Sequence, residues 1–173
     1  MKIGITNLKG GVGKSTITQN LAVCFAHLGF KTVIVDTDTN QNSLAWFAAR
    51  DKNLPTVNVV GVTESDALSK SVENLHQDYD ILLIDGTPNP IPTYFILNEF
   101  SEHKKVHEGI SSQIESSFDV PVLNTRINSR VAYTEVSIDG QGVFEYSDQK
   151  AKAEMVSLMQ EALEIAKELQ FME

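Results

Sequence analysis

The sequence predicts an α/β protein with a mostly parallel, twisted sheet that is covered by helices on both faces. Short apolar runs, two of them ending in aspartate, alternate with stretches whose apolar residues recur every three or four positions. Strands that are apolar on both faces and alternate with helices are typical of parallel sheets buried between helical layers. A glycine-rich stretch follows the first apolar run, and it predicts a loop between a strand and a helix.

The first elements follow one another closely along the chain. Residues 2–6 predict a strand, and residues 9–14 predict a loop. From Ser15 to Leu28 the apolar residues fall at helical spacing, and Gly29 stands where a C-terminal glycine belongs, which predicts an amphipathic helix. A second strand over 32–35 then ends at Asp36, and a short helix is expected over 44–49.

The middle of the chain repeats this alternation. Residues 57–62 predict a third strand, and Thr63 with Asp66 three positions later resembles a capping box that opens a helix. The inner face of that helix is expected to carry Leu68, Val72 and Leu75. A fourth strand over 81–84 ends at Asp85.

The last part of the chain is less regular. It predicts a strand over 94–97, a helix over 102–117, a short apolar run over 120–123 and irregular sequence before a final helix over 149–171. We expect the polar face of the final helix to lie toward solvent, and its acidity disfavours binding to anionic membranes. That face carries Glu154, Glu161, Glu164 and Glu168.

The junction between the fourth strand and the strand over 94–97 is too short for a parallel crossover. It spans residues 86–93, which include three prolines, whereas parallel neighbours need a connection of at least ~12 residues. The later strand is therefore antiparallel or distant, or one strand–helix unit of about 30 residues is missing between about 88 and 93.

Composition limits the class of protein. The 173 residues include 14 Lys+Arg and 23 Asp+Glu, a net charge of −9, which disfavours a strongly basic nucleic-acid module. The single cysteine excludes an internal disulfide framework, and no apolar run is long enough to cross a membrane. We expect one domain over 1–173, located in the cytoplasm and without a membrane partner.

The glycine-rich stretch has the features of a phosphate-binding loop. Strand, glycine-rich loop and helix together present backbone N–H groups and a helix N-terminus to phosphate oxygens. In the pattern GxxxxGK[ST], Lys14 reaches the β- and γ-phosphates and Ser15 coordinates Mg²⁺. The chain departs from this pattern at Leu8, where glycine is usual, and it has Lys9 before a glycine pair.

The stretch Lys-Gly-Gly-Val-Gly-Lys-Ser-Thr over 9–16 resembles the deviant Walker A box of the ParA/MinD superfamily of P-loop NTPases. Residues 33–41 are similar to the second box of that family, with Thr39 in place of its usual proline, and residues 79–85 are similar to its Walker B strand. Residues 139–145 are like those of small ParA-type, ParF-like plasmid-partition proteins, which are the most similar members.

The resemblance implies ATP and Mg²⁺ as ligands and assigns roles to individual residues. Lys9 would reach the phosphates bound to a partner chain, Lys14 would act on the bound phosphates, and Asp38 would position the attacking water. Ser15, Asp36 and Asp85 would hold Mg²⁺. The expected nucleotide-binding residues are Gly10, Gly11, Val12, Gly13, Lys14, Ser15 and Thr16, with Asn98 at the adenine.

The function that the resemblance implies is Mg-dependent ATP hydrolysis by a partition protein. Such a protein dimerises around ATP, binds DNA without sequence preference in the nucleoid, and responds to a ParB-like or centromere-binding adaptor. Arg126 and Arg130 are the expected DNA contacts, because phosphate binding needs cations. The alternatives are a positioning ATPase for a cargo other than DNA, an ATP-dependent carboxylate or amide synthetase on the same fold, and a scaffold that no longer hydrolyses nucleotide.

Overall fold

The computed structural model describes residues 1–7, 9–86, 93–101 and 110–170. Within these ranges the strands are β1 (Lys2–Ile5), β2 (Thr32–Asp36), β3 (Val57–Gly61), β4 (Ile81–Asp85), β5 (Phe95–Phe100) and β6 (Val122–Asn128). The α-helices are α1 (Lys14–His27), α2 (Asn42–Ala49), α3 (Ser65–Asp78), α4 (Ile110–Phe118), α5 (Ala132–Ile138) and α6 (Gln149–Gln170), with a 3₁₀ turn at Val143–Glu145.

A four-stranded parallel sheet forms the centre of the fold, in the order β1-β4-β2-β3. Alternate residues of its inner strands face opposite helical layers. Ile34 and Leu83 belong to the core beneath α1 and α6, whereas Val35 and Ile84 pack against α3. The expected parallel sheet with helices on both faces is therefore confirmed, and α3 presents the expected apolar face of Leu68, Val72 and Leu75.

β5 and β6 form a separate two-stranded parallel sheet. Among the described residues, β5 pairs with no strand of the four-stranded sheet. It is therefore not a neighbour of β4 in a sheet, which is one of the arrangements that the short junction allows. The pairing of β5 with β6 shifts register twice, between Phe95 and Leu97 and again between Leu97 and Phe100. The junction residues 87–92 and the first half of the helix predicted over 102–117 lie outside the described part of the chain, and α4 covers the second half of that helix.

α1 is the central helix of the molecule, and it is not amphipathic as the sequence pattern predicts. Every residue from Ile17 to Ala26 is buried, including Thr18, Gln19 and Asn20. The Asn20 side chain donates to the Thr16 carbonyl at 2.8 Å and accepts from the Val143 N–H at 2.6 Å. Burial of these polar groups is tolerated because they are hydrogen-bonded.

Two local predictions are wrong. α3 begins at Ser65 with Glu64 as its N-cap and no side-chain cap hydrogen bond, so Thr63 and Asp66 do not form the expected capping box around that cap. β6 begins within the apolar run over 120–123 and continues to Asn128, beyond the end of that run. The region expected to be irregular contains α5, a helix whose seven residues are too few to show a clear helical period.

The polar face of α6 is not wholly solvent-facing. Glu161 accepts hydrogen bonds from the backbone N–H groups of Asn124 and Thr125 at 2.7 and 3.0 Å. Glu154 accepts from the backbone N–H of Asn128 at 3.2 Å. Two glutamates that the sequence assigns to solvent therefore satisfy backbone donors of β6. In the described residues, no helix is both long and apolar enough to span a membrane.

A buried ion pair ties the end of α2 to the 3₁₀ turn. The Arg50 guanidinium donates to both oxygens of Glu145, at 2.6 and 2.9 Å, and both side chains are less than 5% exposed. Burial alone would raise the pKa of Glu145, but the hydrogen bonds from Arg50, the Gly142 N–H and His27 outweigh burial, so the pKa is lowered. The carboxylate stays charged and holds three parts of the chain together.

Replacing Glu145 with Ala should lower the free energy of unfolding by about 3 kcal/mol, because Arg50 would remain buried without its counter-ion. Urea denaturation at neutral pH measures the change. Glu164→Ala on the exposed side of α6 is the matched control and should change stability by no more than about 0.5 kcal/mol. A loss below about 1 kcal/mol for Glu145→Ala would contradict the structural role of the ion pair.

Candidate functional site

The loop between β1 and α1 is shaped by glycines at two positions. Gly11 and Gly13 have φ angles of 71° and 85°, a region that side chains with a Cβ rarely adopt. Gly13 also has no room for a side chain, since a Cβ there would overlap the side-chain amide of Asn98. Gly13 is the N-cap of α1, so the first N–H groups of the helix begin at Lys14, directly after the loop.

Both lysines of the loop take part in hydrogen bonds with nearby residues of the chain. The Lys14 Nζ donates to the Lys9 carbonyl at 3.5 Å, and the Lys9 N–H donates to the Asn7 side chain at 2.9 Å. Lys9 itself is exposed. The ammonium group of Lys14 thus lies over the loop, where the N–H groups and the helix N-terminus favour an anion.

Two buried aspartates lie side by side at the carboxyl ends of neighbouring strands. Asp36 of β2 and Asp85 of β4 are register partners, and each is no more than 1% exposed. Carboxyl ends of parallel strands are where ligands bind in open α/β sheets. The structure therefore brings together the two carboxylates that the sequence separates by almost fifty positions.

Ser43, at the start of α2, joins these carboxylates. Its backbone N–H donates to Asp36 at 2.9 Å, and its hydroxyl donates to Asp85 at 3.0 Å. The side-chain amide of Gln19 in turn donates to the Ser43 hydroxyl at 3.2 Å. The Ser15 hydroxyl bonds to Asp85 as well. One hydrogen-bonded cluster therefore runs from the phosphate loop through Asp85 and Ser43 to Asp36.

Burial perturbs both carboxylates in the same direction. Desolvation raises the pKa of Asp85, and the hydrogen bonds from Ser15 and Ser43 oppose the rise only in part. Desolvation also raises the pKa of Asp36, against hydrogen bonds from the N–H groups of Ser43, Asp38 and Leu44. The charge of Asp36 also raises the pKa of Asp85, and the charge of Asp38 raises the pKa of Asp36, so this corner of the protein favours a cation.

The donor set fits Mg²⁺. Ser15, Asp36 and Asp85 offer hard oxygen ligands, which Mg²⁺ prefers, and Mg²⁺ usually binds through one or two carboxylates together with waters and phosphate oxygens. Among the described residues, no group of three or more His, Cys, Asp or Glu side chains could hold a metal ion alone. A metal at this corner would accordingly share its ligands with a bound phosphate.

Asp38 lies in the turn between β2 and α2, beside this cluster. Its N–H donates to Asp36 at 3.1 Å, and its carboxylate accepts from the Asn40 N–H at 2.9 Å. Gln41, the N-cap of α2, has a φ of 50°, so the turn reverses sharply before the helix. Asp38 is only partly buried and lies next to the carboxylates.

Asn98 of β5 is the link between the second sheet and the phosphate loop. Its side-chain nitrogen donates to the Val12 carbonyl at 2.8 Å. This contact places the middle of β5 against Gly13, although no strand of the central sheet pairs with β5 in the described ranges. Asn98 thus lies against the phosphate loop, and its contact with the adenine stays a prediction.

The two expected DNA contacts have different surroundings. Arg126 is exposed, and its guanidinium lies 4.7 Å from the ring centre of Phe100. Arg130 donates twice to Glu154, at 2.7 and 2.8 Å, and this hydrogen-bonded carboxylate raises the pKa of Arg130. The charge of Arg130 is thus largely compensated within the chain, whereas that of Arg126 faces solvent.

Sequence reasoning missed Ser43, Gln19 and Glu154. Ser43 directly follows the second motif, and a serine in the first turn of a helix is a common capping residue, so this signal was present but weak. Gln19 lies on a helix whose polar positions are expected to be exposed. Glu154 belongs to an acidic helix face that has the pattern of an ordinary solvated surface.

The parallel sheet, the glycine loop and the strand-end carboxylates define a P-loop α/β fold. A family model described as the CobQ/CobB/MinD/ParA nucleotide binding domain matches residues 3–143. The chain belongs to this family of nucleotide-binding domains, as the loop and the two later motifs predict.

Individual relatives agree with this assignment. The sporulation initiation inhibitor protein Soj of Bacillus subtilis is 49% identical over 41 residues, which are 24% of this chain and 16% of Soj. The septum site-determining protein MinD from Pyrococcus horikoshii, solved with Mg-ADP, superposes with a TM-score of 0.69 at 20% identity over 96% of this chain and 98% of that one.

A plasmid partition protein from Borrelia burgdorferi shares the fold with a TM-score of 0.51 at 14% identity, over 94% of this chain and 97% of that one. At sequence identities this low, the similarity shows a shared fold and nothing more. The chain spans about half or less of the length of the curated relatives that it matches.

Replacing Asp85 with Asn should stabilise the protein without Mg²⁺ by about 1 kcal/mol at pH 8, because a buried charge is removed. The raised pKa fixes the sign of the pH dependence: the wild-type carboxyl is protonated as the pH falls through its folded-state pKa, so the gain should shrink toward acid. Thermal unfolding between pH 4.5 and 8 measures the difference between the two proteins.

Asp78→Asn, at the exposed end of α3, is the control and should leave the melting temperature nearly unchanged. An Asp85→Asn protein that is less stable than wild type at pH 8, or equally stabilised at all pH values, would show that the buried charge is not unfavourable.

Proposed function

We propose that the protein binds ATP with Mg²⁺ and hydrolyses the bond between the β- and γ-phosphates. The observation that carries this proposal is the hydrogen-bonded cluster of Ser15, Asp85, Ser43 and Asp36 beside the phosphate loop. It joins the loop to two buried carboxylates, and that combination suits a phosphate-bound cation. Membership of a nucleotide-binding family supports the same conclusion.

In this proposal the chain acts mainly by positioning and by compensating charge, as is general for phosphoryl transfer. The loop N–H groups and Lys14, whose Nζ already lies over the loop, hold the phosphates. Ser15, Asp36 and Asp85 hold Mg²⁺, which would neutralise charge on the phosphate oxygens. Asp38 orients the attacking water from the turn after β2, since its carboxylate is only partly buried.

A homodimer completes the proposed site. Lys9 is exposed at the tip of the loop, and only its backbone atoms make the hydrogen bonds described above. A second ammonium group presented from a partner chain would stabilise the charge that develops on the transferring phosphoryl group, much as an arginine finger does. ATP would therefore lie between two chains, and turnover would require both.

Lys9→Ala should retain ATP binding within about fivefold, because Lys14 and the loop N–H groups remain. ATP-dependent dimerisation and turnover should fall at least 100-fold, as for loss of a trans-acting cation. Equilibrium nucleotide binding, light scattering with and without ATP, and phosphate release measure the three properties.

Lys70→Ala removes an exposed lysine from α3 and serves as the control, with all three properties unchanged. Turnover at the wild-type rate in Lys9→Ala would exclude the action of Lys9 on a partner's phosphates.

We further propose that the ATP-bound dimer binds DNA without sequence preference and serves in plasmid or chromosome partition, with a ParB-like or centromere-binding adaptor. The likeness of fold to a plasmid partition protein is consistent with this role. Arg126 is the better candidate for phosphate contact, because Arg130 is paired with Glu154. A positioning ATPase for another cargo is the second candidate, favoured by the net charge of −9.

Arg126→Ala should weaken ATP-dependent retention on random-sequence DNA several-fold and reduce the slope of log affinity against log salt by about one. Arg130→Ala should have the smaller effect, since its charge is already compensated. Lys70→Ala again is the control. If the wild-type ATP complex is not retained on DNA at low salt, the result would support a positioning ATPase whose cargo is not DNA.

A further inference from the structure

A cavity of about 260 Å³ lies beside the phosphate loop, apart from the aspartate cluster. Gly13 and Asn98 contribute to its lining, and so do Asn128, Arg130 and Tyr133 from the end of β6 and from α5. A nucleotide whose phosphates rest on the loop would extend its nucleoside into this cavity. The inference below therefore rests on the proposed nucleotide binding.

One carboxylate that does not line the cavity holds three of its lining residues. Glu154, on α6, accepts two hydrogen bonds from Arg130 at 2.7 and 2.8 Å and one from the Tyr133 hydroxyl at 2.9 Å. It also accepts from the backbone N–H of Asn128 at 3.2 Å and from the side-chain nitrogen of Asn128 at 2.8 Å. The Glu154 side chain is 12% exposed, so water competes little for these bonds.

The chemistry of Glu154 fixes the orientation of the Asn128 amide. An ionised carboxylate has no proton to donate, so only the NH₂ side of the amide can face it. The carbonyl oxygen of the same amide must then point away from Glu154. A carbonyl oxygen is an acceptor, and it pairs with an exocyclic amino group and not with a keto oxygen.

We propose that Glu154 is a positioning residue for nucleobase selection. It turns the Asn128 amide so that its carbonyl oxygen is offered to the cavity, where it accepts from the amino group of adenine. Bases with a keto oxygen at that place, such as hypoxanthine, leave this acceptor unpaired or repelled. A buried polar group left without its partner discriminates strongly between two ligands.

The variant Glu154→Ala tests this role by removing both carboxylate oxygens. The same Glu154 oxygen accepts from Arg130 and from the Asn128 side chain, so a glutamine would keep its oxygen there and hold the amide as before, whereas alanine leaves no acceptor and the orientation is no longer enforced. Dissociation constants are measured for Mg-ATP, Mg-ITP and Mg-tripolyphosphate on the full chain. Wild type should prefer ATP over ITP by about tenfold, and the variant by less than about threefold, with tripolyphosphate binding unchanged within about twofold.

Glu161→Ala is the matched control. Glu161 lies on the same helix and accepts from the backbone of β6, but it contacts Asn124 and Thr125, which do not line the cavity. Its loss should leave the ATP preference at the wild-type value. Asn128→Ala, which removes the amide and leaves Glu154 bonded to Arg130 and Tyr133, should lose the preference as Glu154→Ala does.

The outcomes separate the two proposals. If wild type binds tripolyphosphate and ATP but does not distinguish ATP from ITP, or if Glu154→Ala and Asn128→Ala keep the wild-type preference, the role of Glu154 is refuted and nucleotide binding stands. If wild type binds neither ATP nor tripolyphosphate, the proposed function and this inference are both wrong.

Discussion

The rest of the site depends on the burial of two like charges next to each other. Asp36 and Asp85 end neighbouring strands, almost without exposure, and burial raises the pKa of both. Unpaired buried charges are strongly unfavourable, so the surrounding chain is arranged to supply donors. Ser43 bridges the pair, and this contact sets where α2 starts relative to the sheet. Some of the stability that a fully apolar strand end would offer is given up for a corner whose negative charge favours a cation.

α1 connects this corner to the remainder of the molecule. Its first turn carries Ser15 and the end of the phosphate loop, and its middle is buried on all sides by the sheet, α6 and the 3₁₀ turn. Gln19 reaches Ser43, while Asn20 reaches Val143 near the Arg50–Glu145 ion pair. A displacement at the phosphate loop would therefore be transmitted to hydrogen bonds on both sides of the helix.

The sequence predicts those parts of the fold that depend on local pattern. Apolar runs locate β2 and β4, because buried parallel strands need continuous apolar residues, and the glycine-rich stretch locates the loop between β1 and α1. Contacts between distant segments are not readable in this way. The hydroxyl of Ser43 has a partner only because α2 packs across the ends of two strands, and Glu154 resembles a solvated glutamate until β6 is placed beside it. α5 is missed because one or two turns show no reliable period, and α1 appears amphipathic because hydrogen bonding of its buried polar residues is a tertiary property.

The contacts between α6 and β6 have a consequence for self-association. A strand at the border of a sheet offers unpaired N–H groups to any strand of another molecule, and proteins commonly protect such borders. Here Glu154 and Glu161 occupy the N–H groups of Asn124, Thr125 and Asn128 with negative charge. An approaching strand would have to displace charged acceptors and then meet an acidic helix. Fibre growth by strand addition at this border of β6 is thus opposed.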